Sequence, residues 1–203
     1  MLAQIKTRML YVILWPLCLT LKWCYERYLL QIFDGIKICD IASPNEAEQQ
    51  FFCSRAVRAL ELIKEHDTKR YRRVQRHLAY ILNCRILMSG EYSHSLRSCD
   101  VNFSLFGFEG DEEWGVFALA CTIIHEATHG VICARNIPYN KAFRLRVERV
   151  CHQEEVRFAR RVMPEYDFRE FDESEYQAYM QTSRWRHAVE SIRNAFRPNA
   201  VGA

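Results

Sequence analysis

The chain contains the segment Trp114-Gly-Val-Phe-Ala-Leu-Ala-Cys-Thr-Ile-Ile-His-Glu-Ala-Thr-His129, in which an apolar run leads directly into a histidine motif. Such a run is typical of a buried helix. Asp111 stands where an N-cap is expected, and Glu112 and Glu113 suit the first turn, where negative charge is favourable. The sequence therefore predicts a long core helix that carries the motif in its second half.

The motif is HExxH, formed by His125, Glu126 and His129. Residues four apart share one face of a helix, so both imidazoles can reach one metal ion while Glu126 lies beside it. Neutral imidazoles bind Zn²⁺ without cancelling its charge, and an open coordination position lets the metal lower the pKa of a water molecule. Glu126 is then the general base. Buried without partners, these side chains would destabilise the helix, which favours a metal site.

The run Ile123-Ile-His-Glu-Ala-Thr-His-Gly130 resembles the active-site helix of the zincin metallopeptidases. The resemblance implies that His125 and His129 bind zinc, that Glu126 is the catalytic base, and that the substrate is a peptide or protein. It also implies an α+β fold, a zincin-like minimal domain that is mostly helical with a small sheet preceding the HExxH helix. The third histidine of the metzincin motif is absent. As in the gluzincins, a glutamate is the implied third ligand.

Three glutamates are candidates for that ligand, and all lie in the helical segment 141–163, which ends at a proline. Glu154 falls in the middle of the apolar stripe, whereas Glu148 and Glu155 lie together at its flank. Glu148 follows the last histidine of the motif by nineteen residues, which is similar to the spacing in thermolysin-like enzymes. We predict Glu148. In that family an Asp stands four residues beyond the ligand, and here the position is His152, so Glu155 remains the main rival.

The N-terminal part of the chain has a different character. Residues 9–21 are apolar and follow two basic residues, as in a signal sequence, yet no small-residue cleavage site follows. Three interpretations stay open: a short membrane anchor, an interfacial helix, or a helix packed on the domain. We expect residues 9–25 to contact a membrane, and leave localisation open between membrane association and the cytoplasm. The predicted division is an N-terminal segment, 1–40, followed by the metallopeptidase domain, 41–203.

Composition is that of a globular domain, with 49% hydrophobic and 26% charged residues. The net charge of +3 does not indicate a nucleic-acid partner. A basic cluster at residues 69–76 is interpreted as a solvated helix face balanced by Glu61 and Glu65. Nine cysteines include no CxxC pair, so a disulfide framework is not expected, which favours a reducing compartment.

Hydrophobic periodicity predicts the other elements. A helix is expected over residues 44–65, with a capping box that begins at Ser43, and a basic helix over residues 69–80. Strands are expected over residues 79–88 and 99–106. In zincins a strand beside the cleft pairs with the substrate, and residues 99–106 are the candidate by resemblance, with an ordinary doubly paired strand as the alternative. A final helix is expected around residues 185–196.

The donor that stabilises the oxyanion is a His or Tyr in zincins, and the sequence offers five candidates without choosing among them: Tyr139, Tyr166, Tyr176, Tyr179 and His187. Two other classes of function stay open. One is a closed structural zinc site in a membrane-associated interaction protein, with Cys151 or His152 as the fourth ligand. The other is a lipid-binding module without metal.

Overall fold

A computed structural model of the chain describes residues 23, 25–106, 112–140, 142–165, 172 and 174. The chain divides into two compact units, residues 1–168 and 169–203, and every helix and strand given below belongs to the first. Several predicted features lie outside the described residues: the apolar segment 9–21, the N-cap Asp111, the final helix, Tyr166, Tyr176, Tyr179 and His187.

The described residues form a five-stranded mixed sheet, which confirms the α+β class. Its order is β1-β2-β3-β5-β4. The two outer pairs are antiparallel, whereas β2–β3 and β3–β5 are parallel. The strands are β1 (Leu29–Phe33), β2 (Ile36–Asp40), β3 (Tyr80–Asn83), β4 (Gly90–Ser93) and β5 (Ser98–Val101).

A two-residue turn joins β1 to β2. Asp34 and Gly35 both have positive φ, 46° and 87°, which is the geometry that suits the twist of a tight hairpin. The Asp34 carboxylate accepts hydrogen bonds from Lys64 Nζ at 2.8 Å and from the Tyr71 hydroxyl at 2.7 Å. The hairpin is thereby tied to two helices of the domain.

The predicted domain boundary between residues 40 and 41 is wrong. Strand β2 pairs with β3, and its residues Ile36 and Ile38 are fully buried in the main core. The domain therefore includes β1 and β2, which lie within the predicted N-terminal segment 1–40 and were not predicted as strands. The sequence does contain a signal for this hairpin: the pair Asp34-Gly35 is flanked by apolar residues, which is a strong indicator of a tight turn between two strands.

Four helices are present in the described part of the chain: α1 (Glu46–His66), α2 (Thr68–His77), α3 (Glu112–Ala134) and α4 (Arg144–Val162). All four had been predicted, with bounds that differ by a few residues. The N-cap of α1 is Asn45, whose side chain accepts from Glu48 N at 2.9 Å, and not Ser43. The Ser43 hydroxyl donates instead to Asp40 at 2.7 Å, because the end of β2 brings that carboxylate beside it.

The predicted strands were too long. Residues 79–88 yield only β3, and residues 99–106 yield the last part of β5 followed by a 3₁₀ helix, Phe103–Phe106. Phe103 packs on the aromatic ring of Phe52, with centroids 5.1 Å apart, whereas Leu105 is 54% exposed, so the two do not share the buried face of a strand. Strand β4 was not predicted, because four residues with one aromatic side chain carry almost no periodic signal.

The helices pack on one face of the sheet around α3. By length and composition α3 is the one helix among the described residues that could cross a membrane, yet 67% of its apolar stretch is buried inside the protein. Leu119 and Ile123 of α3 lie in one cluster with Leu60 of α1, Val74 of α2 and Phe158 of α4. Helix α3 is thus the centre of the core, and its neighbours determine which groups surround the histidine motif.

Candidate metal centre

The motif lies where α3 packs against α4. The rings of His125 and His129 are 5.1 Å apart between centroids, as expected for neighbours on one helical face. Glu126 directly follows His125, its carboxylate lies beside Gly90 of β4, and the residue is only 5% exposed. The second half of α3 therefore presents two imidazoles to α4 and one carboxylate to the sheet.

Glu148 of α4 completes the group. Its Oε2 atom lies 3.3 Å from His125 Nε2 and 3.6 Å from His129 Nε2, and the residue is 5% exposed. The structure therefore brings together the three side chains that are predicted as ligands, His125, His129 and Glu148. The two imidazole nitrogens and one carboxylate oxygen converge on a single point.

These separations fit a tetrahedral zinc ion. Zinc lies about 2.0–2.1 Å from nitrogen and oxygen ligands, so two ligand atoms of one tetrahedral ion are about 3.3 Å apart. The measured 3.3 and 3.6 Å between the imidazole nitrogens and Glu148 Oε2 are close to that value. Two neutral nitrogens and one carboxylate also leave a position for water, as in catalytic zinc sites.

The other two glutamates of α4 have different partners. Glu155 Oε2 lies 3.2 Å from His125 Nδ1, the ring nitrogen opposite the one that faces Glu148, and 3.5 Å from His152 Nδ1. Glu154 pairs with arginines, among them Arg73 of α2 at 2.6 Å. Only Glu148 faces both Nε2 atoms, and Glu155 is placed to hold the orientation of the His125 ring.

Cys151 is a further donor at the same place. It is 0% exposed, and its sulfur and ring nitrogens of His125 and His129 all lie within 4.8 Å of one another. Burial raises the pKa of the Cys151 thiol, and the charges of Glu148, Glu126 and the neighbouring carboxylates raise it further. The thiol is therefore neutral unless a cation displaces its proton.

Tyr139 is the oxyanion candidate that the described structure places at the site. Its hydroxyl donates to Glu148 Oε1, the carboxylate oxygen that does not face the histidines. The ring meets His129 edge-on at 5.5 Å, and the guanidinium of Arg144 lies 5.1 Å from the ring centre. Tyr139 thus contacts the predicted ligand itself, in addition to lying beside the motif.

Protonation differs sharply among these groups. Burial disfavours the charged imidazole of His125, but the carboxylates of Glu148 and Glu155 outweigh it and raise its pKa well above the ordinary value. The pKa of Glu148 is lowered despite burial, because His125, His129 and Tyr139 hydrogen-bond to the carboxylate. The pKa of Glu155 is lowered to about 2, since the bonds from His125 and His152 outweigh burial. These shifts favour the ionised forms of Glu148 and Glu155 beside a protonated His125.

Glu126 shows the opposite shift. Burial raises its pKa, and the negative charges of Glu148 and Glu155 add to this effect against the nearby histidines. A carboxylate with a raised pKa is a better proton acceptor near neutral pH than an exposed one. Among the acidic groups at the motif, Glu126 is therefore the one suited to accept and return a proton.

Strand β4 lies beside Glu126. A Cβ placed on Gly90 would be 2.5 Å from Thr122 Cγ2 and 3.0 Å from Glu126 Oε1, so only glycine allows the strand to approach this closely. In the described sheet β4 is an edge strand, with β5 as its one neighbour. The prediction that residues 99–106 form the open strand beside the cleft is wrong, because β5 pairs on both sides.

Comparison with known proteins adds nothing to this geometry: no family model, no curated protein and no solved structure matches the chain. The assignment of the site rests on the side chains themselves.

Proposed function

We propose that this protein is a zinc-dependent peptidase, with His125, His129 and Glu148 as metal ligands and Glu126 as the general base. The observation that carries the proposal is the convergence of both Nε2 atoms on one oxygen of Glu148, at 3.3 and 3.6 Å. The buried carboxylate of Glu126, with its raised pKa, lies one residue from the first ligand.

Zinc, when bound, supplies a Lewis acid that polarises the scissile carbonyl and makes water acidic enough to attack near neutral pH. Glu126 takes the proton of the attacking water and passes it to the leaving amine. Glu155 accepts from His125 Nδ1 and so keeps Nε2 free for the metal. Tyr139 keeps the second oxygen of Glu148 occupied, which orients the first towards the histidines.

The edge of β4 gives the substrate a place to bind. An edge strand has unpaired backbone N–H and C=O groups, and an extended peptide can add to it through main-chain hydrogen bonds. Gly90 begins this strand within contact of Glu126. A peptide paired with β4 would therefore pass the general base with little dependence on its side chains.

The test combines zinc content with turnover in the full chain. Elemental analysis is expected to find about one zinc per chain, and the zinc-loaded protein is expected to cleave a mixture of internally quenched decapeptides. Glu126→Gln should retain zinc and lose turnover, whereas His129→Ala should lose both. Glu113→Gln, an exposed glutamate on the same helix, is the matched control and should change neither. Full turnover in Glu126→Gln would contradict the mechanism.

A second candidate is a closed structural zinc site, and the position of Cys151 favours it. If the thiolate joined His125, His129 and Glu148, no coordination position would remain for water. Cobalt-substituted protein separates the two cases, because a thiolate ligand gives an intense charge-transfer band. We expect no such band; a strong band that disappears in Cys151→Ser would support the structural site instead.

A further inference from the structure

Strand β4 runs alongside the second half of α3 and leads away from the general base. Gly90 contacts Glu126, Tyr92 lies 3.3 Å from the Cβ position of Gly130, and the residue after the strand, His94, has its Nδ1 2.9 Å from Cys133 Sγ. The strand rises about 3.3 Å per residue, so its far end is roughly 10 Å from Gly90.

Three exposed arginines lie at or next to the ends of the elements that meet there, and we call Arg76, Arg97 and Arg135 the arginine cluster. Arg97 is the last residue of the turn between β4 and β5, and it donates to the carbonyls of Arg76 and His77 at the end of α2. His77 Cβ is 2.8 Å from the Cβ position of Gly130, which joins the end of α2 to α3. Arg135 directly follows α3.

The positive charges of the arginine cluster all act on the imidazole of His77. The pKa of His77 is lowered by burial and then by the charges of Arg97, Arg76, Arg73 and Arg135. Arg73 is neutralised by Glu154, but within the described ranges no ion pair involves any member of the arginine cluster. Arg76 and Arg135 thus keep their charges available to a ligand, whereas Arg97 already donates to two main-chain carbonyls.

The predicted neutralisation of the basic residues 69–76 by Glu61 and Glu65 is not found in the described structure. Glu61 and Glu65 were expected to neutralise residues 69–76, yet in the structure both pair with Arg58 of their own helix, at 3.4 and 3.2 Å. Arg97 has a structural use, because it caps the last carbonyls of α2. Arg76 and Arg135 make no such contact with the described chain through their side chains.

We propose that the arginine cluster is a specificity subsite that binds an acidic side chain of the peptide substrate. The proposal rests on the proposed peptidase function. A peptide added to the edge of β4 extends from Glu126 towards the cluster, so an Asp or Glu about three residues from the cleaved bond meets the arginines. Charge complementarity selects the substrate by its sequence, while the strand itself selects only for extended backbone.

An acidic peptide fits this site better than a nucleic acid. The cluster lies where the turn after β4 meets the ends of α2 and α3, β4 is an edge strand of the described sheet, and the net charge of the whole chain is only +3. A nucleic-acid surface needs a longer basic stripe, since its affinity comes from many phosphate contacts. Three arginines at the end of a peptide-binding edge suit one or two carboxylates.

The experiment uses the zinc-loaded full chain and internally quenched decapeptide mixtures in which one position at a time is Glu, Ala or Lys. At one position, two to four residues from the cleaved bond, Glu should raise kcat/KM over Lys by about fivefold or more, the sum of several exposed ion pairs. The double substitution R76E/R135E should abolish or reverse that preference. R160E changes an exposed arginine on α4 and is the matched control.

The outcomes are distinct. Cleavage without a charge preference, or a preference that R76E/R135E leaves intact, overturns the subsite and leaves the peptidase standing. Absence of cleavage of every mixture by zinc-loaded protein overturns the peptidase, and the subsite with it. If R76E/R135E loses binding to a single-stranded oligonucleotide while peptide preference is unchanged, the cluster serves a nucleic acid and the proposal is wrong. Added salt should weaken a true charge preference.

Discussion

Glu155 Oε2 lies 3.2 Å from His125 Nδ1, while Nε2 of the same ring faces Glu148 at 3.3 Å. Both carboxylates are on α4, two turns apart, and they contact the two different nitrogens of one imidazole. The ring is therefore held at both ends by a single helix. This relationship separates the role of a metal ligand from that of a residue that orients one.

The first prediction concerns this orienting role. Glu155→Gln should weaken zinc binding by roughly 10- to 100-fold, because loss of the partner of a ligating histidine frees its ring and lowers its basicity. Competition with a chromophoric chelator measures the affinity. Glu148→Gln should be more severe, since it removes the proposed ligand, and Glu113→Gln should have no effect. Equal losses from Glu155 and Glu148 variants would contradict the division of roles.

Tyr139 gives a second prediction, based on its bond to Glu148 Oε1. Tyr139→Phe keeps the ring against His129 but removes the donor, so zinc affinity should fall by about tenfold. At saturating zinc, kcat should change by less. If Tyr139 were instead the main oxyanion donor, zinc affinity would be unchanged and kcat would fall by about 10²-fold or more. Chelator competition and turnover at saturating zinc distinguish the two.

The third prediction tests the close approach of β4 to the general base. Gly90→Ala places a methyl group 2.5 Å from Thr122 Cγ2 and 3.0 Å from Glu126 Oε1, so strand or carboxylate must shift. Turnover should fall by on the order of tenfold to a hundredfold, while zinc content stays the same. Thr122→Ser removes the closer of these obstacles. In combination with Gly90→Ala it should restore part of the activity, and unaltered turnover in Gly90→Ala would contradict the packing.

The fourth prediction concerns stability and pH at Asp100 of β5. Its Oδ1 atom is buried without a hydrogen-bond partner in the described structure, and burial raises its pKa to about 6, against a smaller lowering from the Ser98 side chain and with a small further rise from the charge of Glu91. Below about pH 3 the carboxyl is mostly protonated in both the folded and the unfolded chain. As pH rises the unfolded chain ionises first, so the free energy of unfolding falls until pH passes about 6.

Asp100→Asn removes this penalty, which amounts to at most about 3 kcal/mol for a shift of roughly two pKa units. The free energy of unfolding of the variant, minus that of the parent protein, should therefore be about 1–3 kcal/mol larger at pH 8 than at pH 4. Urea unfolding of metal-free protein at both values measures the difference. The histidines and glutamates of α3 and α4 titrate in both proteins, so their contributions cancel in the difference between variant and parent. A difference that does not change with pH would show that the pKa of Asp100 is not raised.

Local sequence was sufficient to predict the helices and to place the two histidines of the motif on one helical face. The apolar run before His125 and the spacing of four residues depend only on helical periodicity, and both survive in α3. The short strands were harder to predict. Strand β4 has four residues and a turn-like Gly90, so its role is visible only through its neighbours β5 and α3.

The choice among the glutamates shows where local reasoning ends. Glu148 and Glu155 are equivalent on a helical wheel, and only the way α4 lies on α3 points one at Nε2 and the other at Nδ1 of His125. The chain order likewise does not reveal that Gly90, Arg97 and the end of α2 meet along α3. Helical period and residue chemistry act over a few neighbouring positions, whereas the packing of the core brings distant groups together and sets their distances.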